Sequence, residues 1–126
     1  MKRLGLMVSL MASIACVASA AGAFERVEDR SQFVETVVGK ELLITRPFFL
    51  RSAIKLEVSP NGDISGSAMT QPVKGDWRWE NGLFCRDLYW GERDLGPNCQ
   101  VVEVSGDRIR FTADFGRGKS ADFRID

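Results

Sequence analysis

The 126-residue sequence predicts a mainly β protein, an antiparallel meander that forms a small barrel or sandwich, with one short N-terminal α-helix. Three observations support this fold class. Apolar and polar residues alternate in short segments from Leu42 to the end of the chain, residues typical of tight turns separate these segments, and helical spacing occurs in one earlier segment. About seven short strands therefore follow the helix, and each has one dry face and one wet face.

The predicted helix lies within residues 24–40. Asp29 and Gln32 have the spacing of a capping box, and Gly39 stands where a helix commonly ends. Apolar residues of the segment 33–38 recur at the spacing of an amphipathic helix. Their stripe has to be covered, and the natural target is the open end or one face of the sheet that follows.

Three hairpins and a last strand are predicted after the helix. Each hairpin joins two alternating segments through residues that favour tight turns. In the third hairpin, Ile109, Phe111 and Phe115 are expected to share one face. The predicted hairpins are Ile54–Ala68 around Pro60-Asn61-Gly62-Asp63, Val73–Trp90 around Asn81-Gly82, and Gln100–Phe115 around Ser105-Gly106-Asp107, and the last strand alternates from Ser120 to Ile125.

The first 23 residues have the pattern of a secretory signal peptide. Two basic residues precede an uncharged apolar run over residues 4–17, and small residues then provide cleavage sites after Ala20 or Ala23. We therefore predict export from the cytoplasm and a single β-rich domain over residues 24–126.

Charge and composition exclude several classes of function. The chain has 17 basic and 17 acidic residues, and cleavage after residue 20 leaves 15 basic and 17 acidic ones. This near-neutral balance gives no electrostatic argument for binding nucleic acid or an anionic membrane surface. The chain has no histidine, which excludes Ser-His-Asp and Cys-His catalysis and histidine-ligated zinc. We predict no metal, no cofactor and no catalytic residue.

Two cysteines, Cys85 and Cys99, follow the predicted signal peptide. An even number of thiols in an oxidising compartment normally pairs, so we predict a structural disulfide between them. The alternative, a redox or metal-binding pair, lacks the C-x-x-C spacing that such sites use.

The candidate binding residues lie in the segment 75–99, which contains all three tryptophans and the one tyrosine. A two-residue turn at Asn81-Gly82 would place Trp77 opposite Arg86, with the guanidinium against the indole. One interpretation is that these aromatics are core residues and Arg86 seals the rim. The functional interpretation takes four residues as one wall of a binding site: Trp77, Arg86, Tyr89 and Trp90.

The sequence also resembles a family of small exported proteins of Gram-negative bacteria, whose members often carry the enzyme name dihydrodipicolinate reductase. The resemblance rests on the string Gly75-x-Trp77-x-Trp79-x-x-Gly82-x-Phe84-Cys85-Arg86-Asp87-Leu88, followed by Asn98-Cys99-Gln100 and Ile109-Arg110-Phe111. The enzyme name does not transfer, because that reductase has a dinucleotide-binding G-x-G-x-x-G motif, a catalytic histidine and a longer chain. The resemblance implies a periplasmic module.

Three functional hypotheses follow. The first is a non-catalytic periplasmic module that recognises a protein or an envelope component through the aromatic and arginine face of residues 77–94. The second is a small-molecule binder with a lipocalin-like barrel interior, and the third is an enzyme that uses carboxylates such as Glu80 and Asp87. A cavity of about 300 Å³ or more would favour the second hypothesis, and a filled core with an exposed aromatic patch would favour the first. No nucleic acid and no inserted membrane segment are expected as partners.

Overall fold

The computed structural model describes residues 23–126, so the predicted signal peptide falls almost entirely outside the described part. One regular α-helix is present in it, α1 (Arg30–Val37), beside a single 3-10 turn at Phe48–Leu50, and no helix there is long and apolar enough to span a membrane. The strands are β1 (Glu25–Arg26), β2 (Glu41–Arg46), β3 (Ile54–Val58), β4 (Asp63–Ala68), β5 (Gln71–Glu80), β6 (Leu83–Trp90), β7 (Arg93–Ser105), β8 (Arg108–Thr112) and β9 (Ser120–Ile125).

Strands β2 to β9 form a closed antiparallel barrel of eight strands. Their order is β7-β6-β5-β4-β3-β2-β9-β8, and pairing of β8 with β7 closes the circle. The 13-residue strand β7 makes this closure possible, because residues 93–100 pair with β6 and residues 101–105 pair with β8. Strand β1 pairs with β7 beyond the end of β6. The mainly β prediction is confirmed, and the fold is a barrel rather than a sandwich.

The two predicted turns with the clearest sequence signal form as expected. Asn81 and Gly82 both have positive φ angles, of 51° and 75°, as a two-residue hairpin turn requires. The resulting register places Trp77 opposite Arg86, which confirms the predicted pairing. The turn at residues 59–62 likewise joins β3 to β4.

Two glycines allow the strands to coil tightly enough to close a small barrel. Gly66 lies opposite Leu56 and Gly75 lies opposite Leu88, on the inward face of the sheet. A Cβ atom on Gly66 would collide with the carbonyl oxygen of Lys55, and one on Gly75 would collide with that of Asp87. Close backbone approach of this kind is typical of barrel corners.

Helix α1 covers one end of the barrel, which we call the closed end. Its capping prediction is confirmed, because the side chain of Asp29 accepts a 2.8 Å hydrogen bond from the backbone N–H of Gln32. Gly39 follows the helix with a φ of 80°. Phe33 and Val37 are fully buried in the barrel core. The turns at residues 59–62, 81–82 and 106–107 surround this end.

The opposite end, which we call the mouth, is formed by the connections 47–53, 69–70, 91–92 and 113–119. Here one prediction is wrong. Strand β8 ends at Thr112, so Phe115 does not continue the inward face of Ile109 and Phe111. Asp114 and Phe115 adopt left-handed backbone conformations, and the Phe115 side chain is 59% exposed. The chain has to turn here to enter β9, which takes Phe115 away from the core.

Candidate functional site

The barrel encloses a cavity of about 400 Å³ between the packed closed end and the mouth. Its wall is almost entirely apolar, because four of the 22 lining residues are polar: Arg86, Gln100, Lys119 and Ser120. Each strand of the barrel contributes inward-facing side chains to this wall, since alternate residues of a strand point to the same face. Ligand sites in proteins commonly enclose roughly 300 to 1,000 Å³ and are mostly apolar with a few polar groups.

Four aromatic rings pack together at the closed end of the interior. The Phe33 ring lies 5.3 Å from the Trp77 ring and 5.1 Å from the Phe84 ring, measured between centroids. It also stacks on Trp79 at 5.2 Å. Nearer the mouth, Trp90 and Phe111 stand in the cavity wall beside small side chains such as Ala68 and Ala121. The interior is therefore packed at one end and hollow at the other.

Of the two charged residues that line the cavity, Lys119 is exposed and Arg86 is more buried. It is partly buried on β6, and its Nη1 donates a 2.8 Å hydrogen bond to the carbonyl oxygen of Gly96. Burial lowers the pKa of Arg86 from its ordinary value, and the negative charges of Asp87 and Asp114 oppose that shift. Among the five ion pairs of the described residues, none includes Arg86. Partial burial of a cation that has no ion-pair partner carries a cost, and an anion from outside would offset it.

Trp77, the first of the four candidate residues, belongs to the core. Its side chain is 6% exposed, and its Nε1 donates a 2.9 Å hydrogen bond to the carbonyl oxygen of Ser59. The cation over its ring is Arg30 of the helix, at 5.4 Å from the centroid, although Arg86 is its cross-strand neighbour. Trp77 therefore contributes to the packing of the closed end and does not line the cavity.

The other three candidates lie on β6, but they do not all point to the same face of this strand. Arg86 and Trp90 both line the cavity, and Trp90 Nε1 donates a 2.8 Å hydrogen bond to the carbonyl oxygen of Ala68. Tyr89 is 48% exposed and does not line the cavity. The structure thus brings Arg86 and Trp90 to one cavity and does not bring all four residues into one wall.

Most of the residues that line the cavity were not identified from the sequence. Ile44, Ile54 and Phe123 come from strands that are far apart along the chain, and their alternation indicates only a buried face. No local pattern shows that these faces surround an open space. The run Arg46–Arg51 does interrupt the alternation, but its two phenylalanines do not line the cavity.

The predicted disulfide is present. Cys85 and Cys99 are directly opposed on β6 and β7, with their Cα atoms 4.0 Å apart. They lie on the face of the sheet opposite to Arg86, because neighbouring residues of a strand alternate between faces. The bond therefore ties together the two strands that carry Arg86 and its hydrogen-bond acceptor Gly96. Among residues 23–126, no group of three potential ligands is arranged to hold a metal ion.

The connection 113–119 at the mouth is held in an unusual conformation. The φ angles of Asp114 and Phe115 are 54° and 59°, and such left-handed conformations cost non-glycine residues about 1 to 3 kcal/mol each. Asn98 holds the segment through two hydrogen bonds: its Nδ2 donates to the Asp114 carboxylate at 2.7 Å, and its Oδ1 accepts from the Asp114 N–H at 3.0 Å. Gly116 follows with its own positive φ. Contacts with β7 therefore maintain a turn that presents Phe115 to solvent.

Comparison of the chain with protein-family models, with curated proteins and with solved structures yields no match.

Proposed function

We propose that the protein binds a small amphiphile, with the apolar part of the ligand in the barrel cavity and an anionic head group at Arg86. The observation that carries the proposal is the apolar cavity of about 400 Å³ with an arginine, unpaired within residues 23–126, in its wall. Apolar surface drives burial of the ligand chain, and the guanidinium supplies the orientation. This is the second of the three sequence hypotheses, and the cavity exceeds the volume of about 300 Å³ that favours it.

The charge distribution in the cavity indicates the class of head group. Arg86 and Lys119 are its charged lining residues, and no Asp or Glu lines it. A cationic ligand would find no counter-ion there, whereas a carboxylate or sulfonate could accept hydrogen bonds from the unused guanidinium N–H groups of Arg86. The same lack of lining carboxylates argues against a carboxylate-based enzyme site in this cavity.

Isothermal titration calorimetry with dodecanoate and with dodecan-1-ol tests the proposal. We expect both probes to bind the protein, and dodecanoate to bind about tenfold or more tightly because its carboxylate pairs with Arg86. Arg86→Gln should remove the difference between the two probes. Arg78→Gln is the matched control, because Arg78 lies on the neighbouring strand, is exposed and pairs with Glu80.

A second pair of variants tests whether the cavity itself is the site. Leu88→Trp fills the cavity and should abolish binding of both probes. Leu43→Trp enlarges a half-buried leucine that does not line the cavity and should leave binding unchanged. Absence of binding by the wild-type protein, or equal binding by Leu88→Trp and wild type, would reject the proposal.

Export to the periplasm remains part of the proposal. It is supported by the signal-peptide pattern of residues 1–23 and by the Cys85–Cys99 disulfide, because disulfides persist mainly in oxidising compartments. Recognition of a protein or an envelope component through residues 77–94 also remains a proposal. Of its four candidate residues, Tyr89 is exposed enough to make a surface contact.

A further inference from the structure

The large apolar side chains that are exposed in the described residues all lie at the mouth. The connection 47–53 carries Phe48 and Phe49, which are 74% and 84% exposed. The remaining four stand on the other mouth connections or on the strand ends that enter them: Met69, Tyr89, Leu95 and Phe115. Isolated exposed apolar residues are ordinary, but their confinement to the rim of one cavity indicates an interaction surface.

The backbone directs Phe48 and Phe49 outward. The N–H of Leu50 donates to the carbonyl oxygen of Pro47 at 3.0 Å, and the N–H of Arg51 donates to that of Phe48 at 3.0 Å. These bonds form a single helical turn, in which Leu50 points into the cavity. Phe48 and Phe49 lie on the other side of this turn, away from the cavity, so they project from the rim.

The two ends of the barrel also differ in charge, although the chain as a whole has none. The mouth, taken as residues 46–54, 68–71, 90–94 and 112–120, holds five basic and three acidic residues. The closed end, taken as residues 25–41, 59–63, 80–82, 105–108 and 126, holds nine acidic and four basic ones. Three of these acidic residues pair with basic residues just outside the ranges: Glu41 with Lys55, Glu80 with Arg78 and Asp126 with Arg124. The charged residues of the mouth are Arg46, Arg51, Arg93, Arg117, Lys119, Glu92, Asp94 and Asp114.

We propose that the mouth of the barrel docks on an anionic lipid bilayer. Aromatic side chains next to arginines are the combination that the interfacial region of a bilayer accepts, because the rings bury among the acyl chains while the cations meet the phosphates. The excess of basic residues at the mouth orients the protein, since an anionic surface attracts this end more strongly than the closed end. Phe48, Phe49 and Phe115 enter the interface, and Arg46 and Arg51 contact the head groups. The net charge of the whole chain does not reveal this arrangement, because it is the sum over both ends of the barrel.

Flotation with lipid vesicles tests the docking surface separately from ligand binding. Vesicles of phosphatidylcholine with phosphatidylglycerol are compared with vesicles of phosphatidylcholine alone, and intact mass first establishes the form of the purified chain. We expect the wild-type protein to float with the anionic vesicles and to be released as salt is raised. The double variant Phe48→Ser/Phe49→Ser should lose binding by about tenfold or more.

Two arginine variants, one at each end of the barrel, test the role of charge. Arg51→Gln at the mouth should weaken vesicle binding about fivefold, whereas Arg108→Gln at the closed end should leave it unchanged. Equal effects of these two variants, or unchanged binding by the double phenylalanine variant, would overturn the proposal. Self-association of the protein through Phe48 and Phe49 without vesicle binding would also overturn it, by making a second copy the partner. Vesicle binding without dodecanoate binding would leave this proposal standing and end the cavity proposal.

Discussion

The two ends of the barrel are built from similar antiparallel strands and differ in almost every other property. At the closed end, α1 inserts Phe33 between the rings of Trp77, Trp79 and Phe84. At the mouth, no such plug is present among residues 23–126, the interior is hollow, and apolar side chains face solvent. Stability is therefore concentrated at one end, and the other end is free to carry a binding site.

The largest effect is expected from Phe33→Ala at the closed end. Phe33 is fully buried, so its truncation should lower the free energy of unfolding by about 3 to 5 kcal/mol. Leu88→Ala should cost about 2 kcal/mol or less, because Leu88 already borders the cavity and has fewer packed neighbours to lose. Urea denaturation of the two variants measures both values, and equal losses would show that the ends do not differ in packing.

Removal of the disulfide should have the next largest effect. The sequence separation of Cys85 and Cys99 is 14, and the chain-entropy estimate for such a loop is about 3 kcal/mol. The double variant Cys85→Ser/Cys99→Ser should therefore lose about that much stability by chemical denaturation. It should also lose part of its dodecanoate affinity, because the bond joins the strands of Arg86 and Gly96. Wild-type protein treated with a reductant serves as the control and should show the same change.

A smaller effect on stability is expected from Arg86→Leu. The variant loses one hydrogen bond to Gly96 and also loses a partly desolvated charge. These two effects oppose each other, so the free energy of unfolding should change by about 1 kcal/mol or less. Dodecanoate affinity should nevertheless fall about tenfold. A large destabilisation without a change in affinity would instead mark Arg86 as a structural residue that seals the rim.

The smallest effect is expected from Phe49→Ser. This side chain is 84% exposed, so the free energy of unfolding should change by no more than about 0.5 kcal/mol, as measured by thermal denaturation. Vesicle flotation should weaken in the same variant. Substantial destabilisation would show that Phe49 packs against the rim and would remove it from the docking surface.

Local features of the fold could be predicted because they depend on neighbouring residues. The cap at Asp29 and the turn at Asn81-Gly82 follow from side chains and φ preferences within a few positions. The register of β5 and β6 then follows from that turn, and it places Trp77 opposite Arg86. Phe115 is the exception, because alternation continued in the sequence after the strand had ended.

The candidate site could be predicted only in part. Arg86 and Trp90 were identified from their segment, but so were Trp77 and Tyr89, which do not line the cavity. Alternation along β6 alone places Tyr89 on the face opposite to Arg86 and Trp90, because the extra residue of the bulge, Leu95, lies in β7. An inward tryptophan such as Trp77 is packed only because α1 places Phe33 against it, whereas Trp90 lines the cavity. No local sequence pattern contains that information.

The sequence by itself determined the mainly β class, the register across the turn at Asn81-Gly82 and the helix cap. Each of these depends on interactions across a turn or on the parity of a strand, which short windows of sequence encode. Only the tertiary structure decided that the sheet closes through β7 and β8 and that α1 fills one end. It also decided that an arginine stands in the remaining cavity. Closure and filling depend on contacts between distant segments, and the space between those segments is a property of the whole barrel.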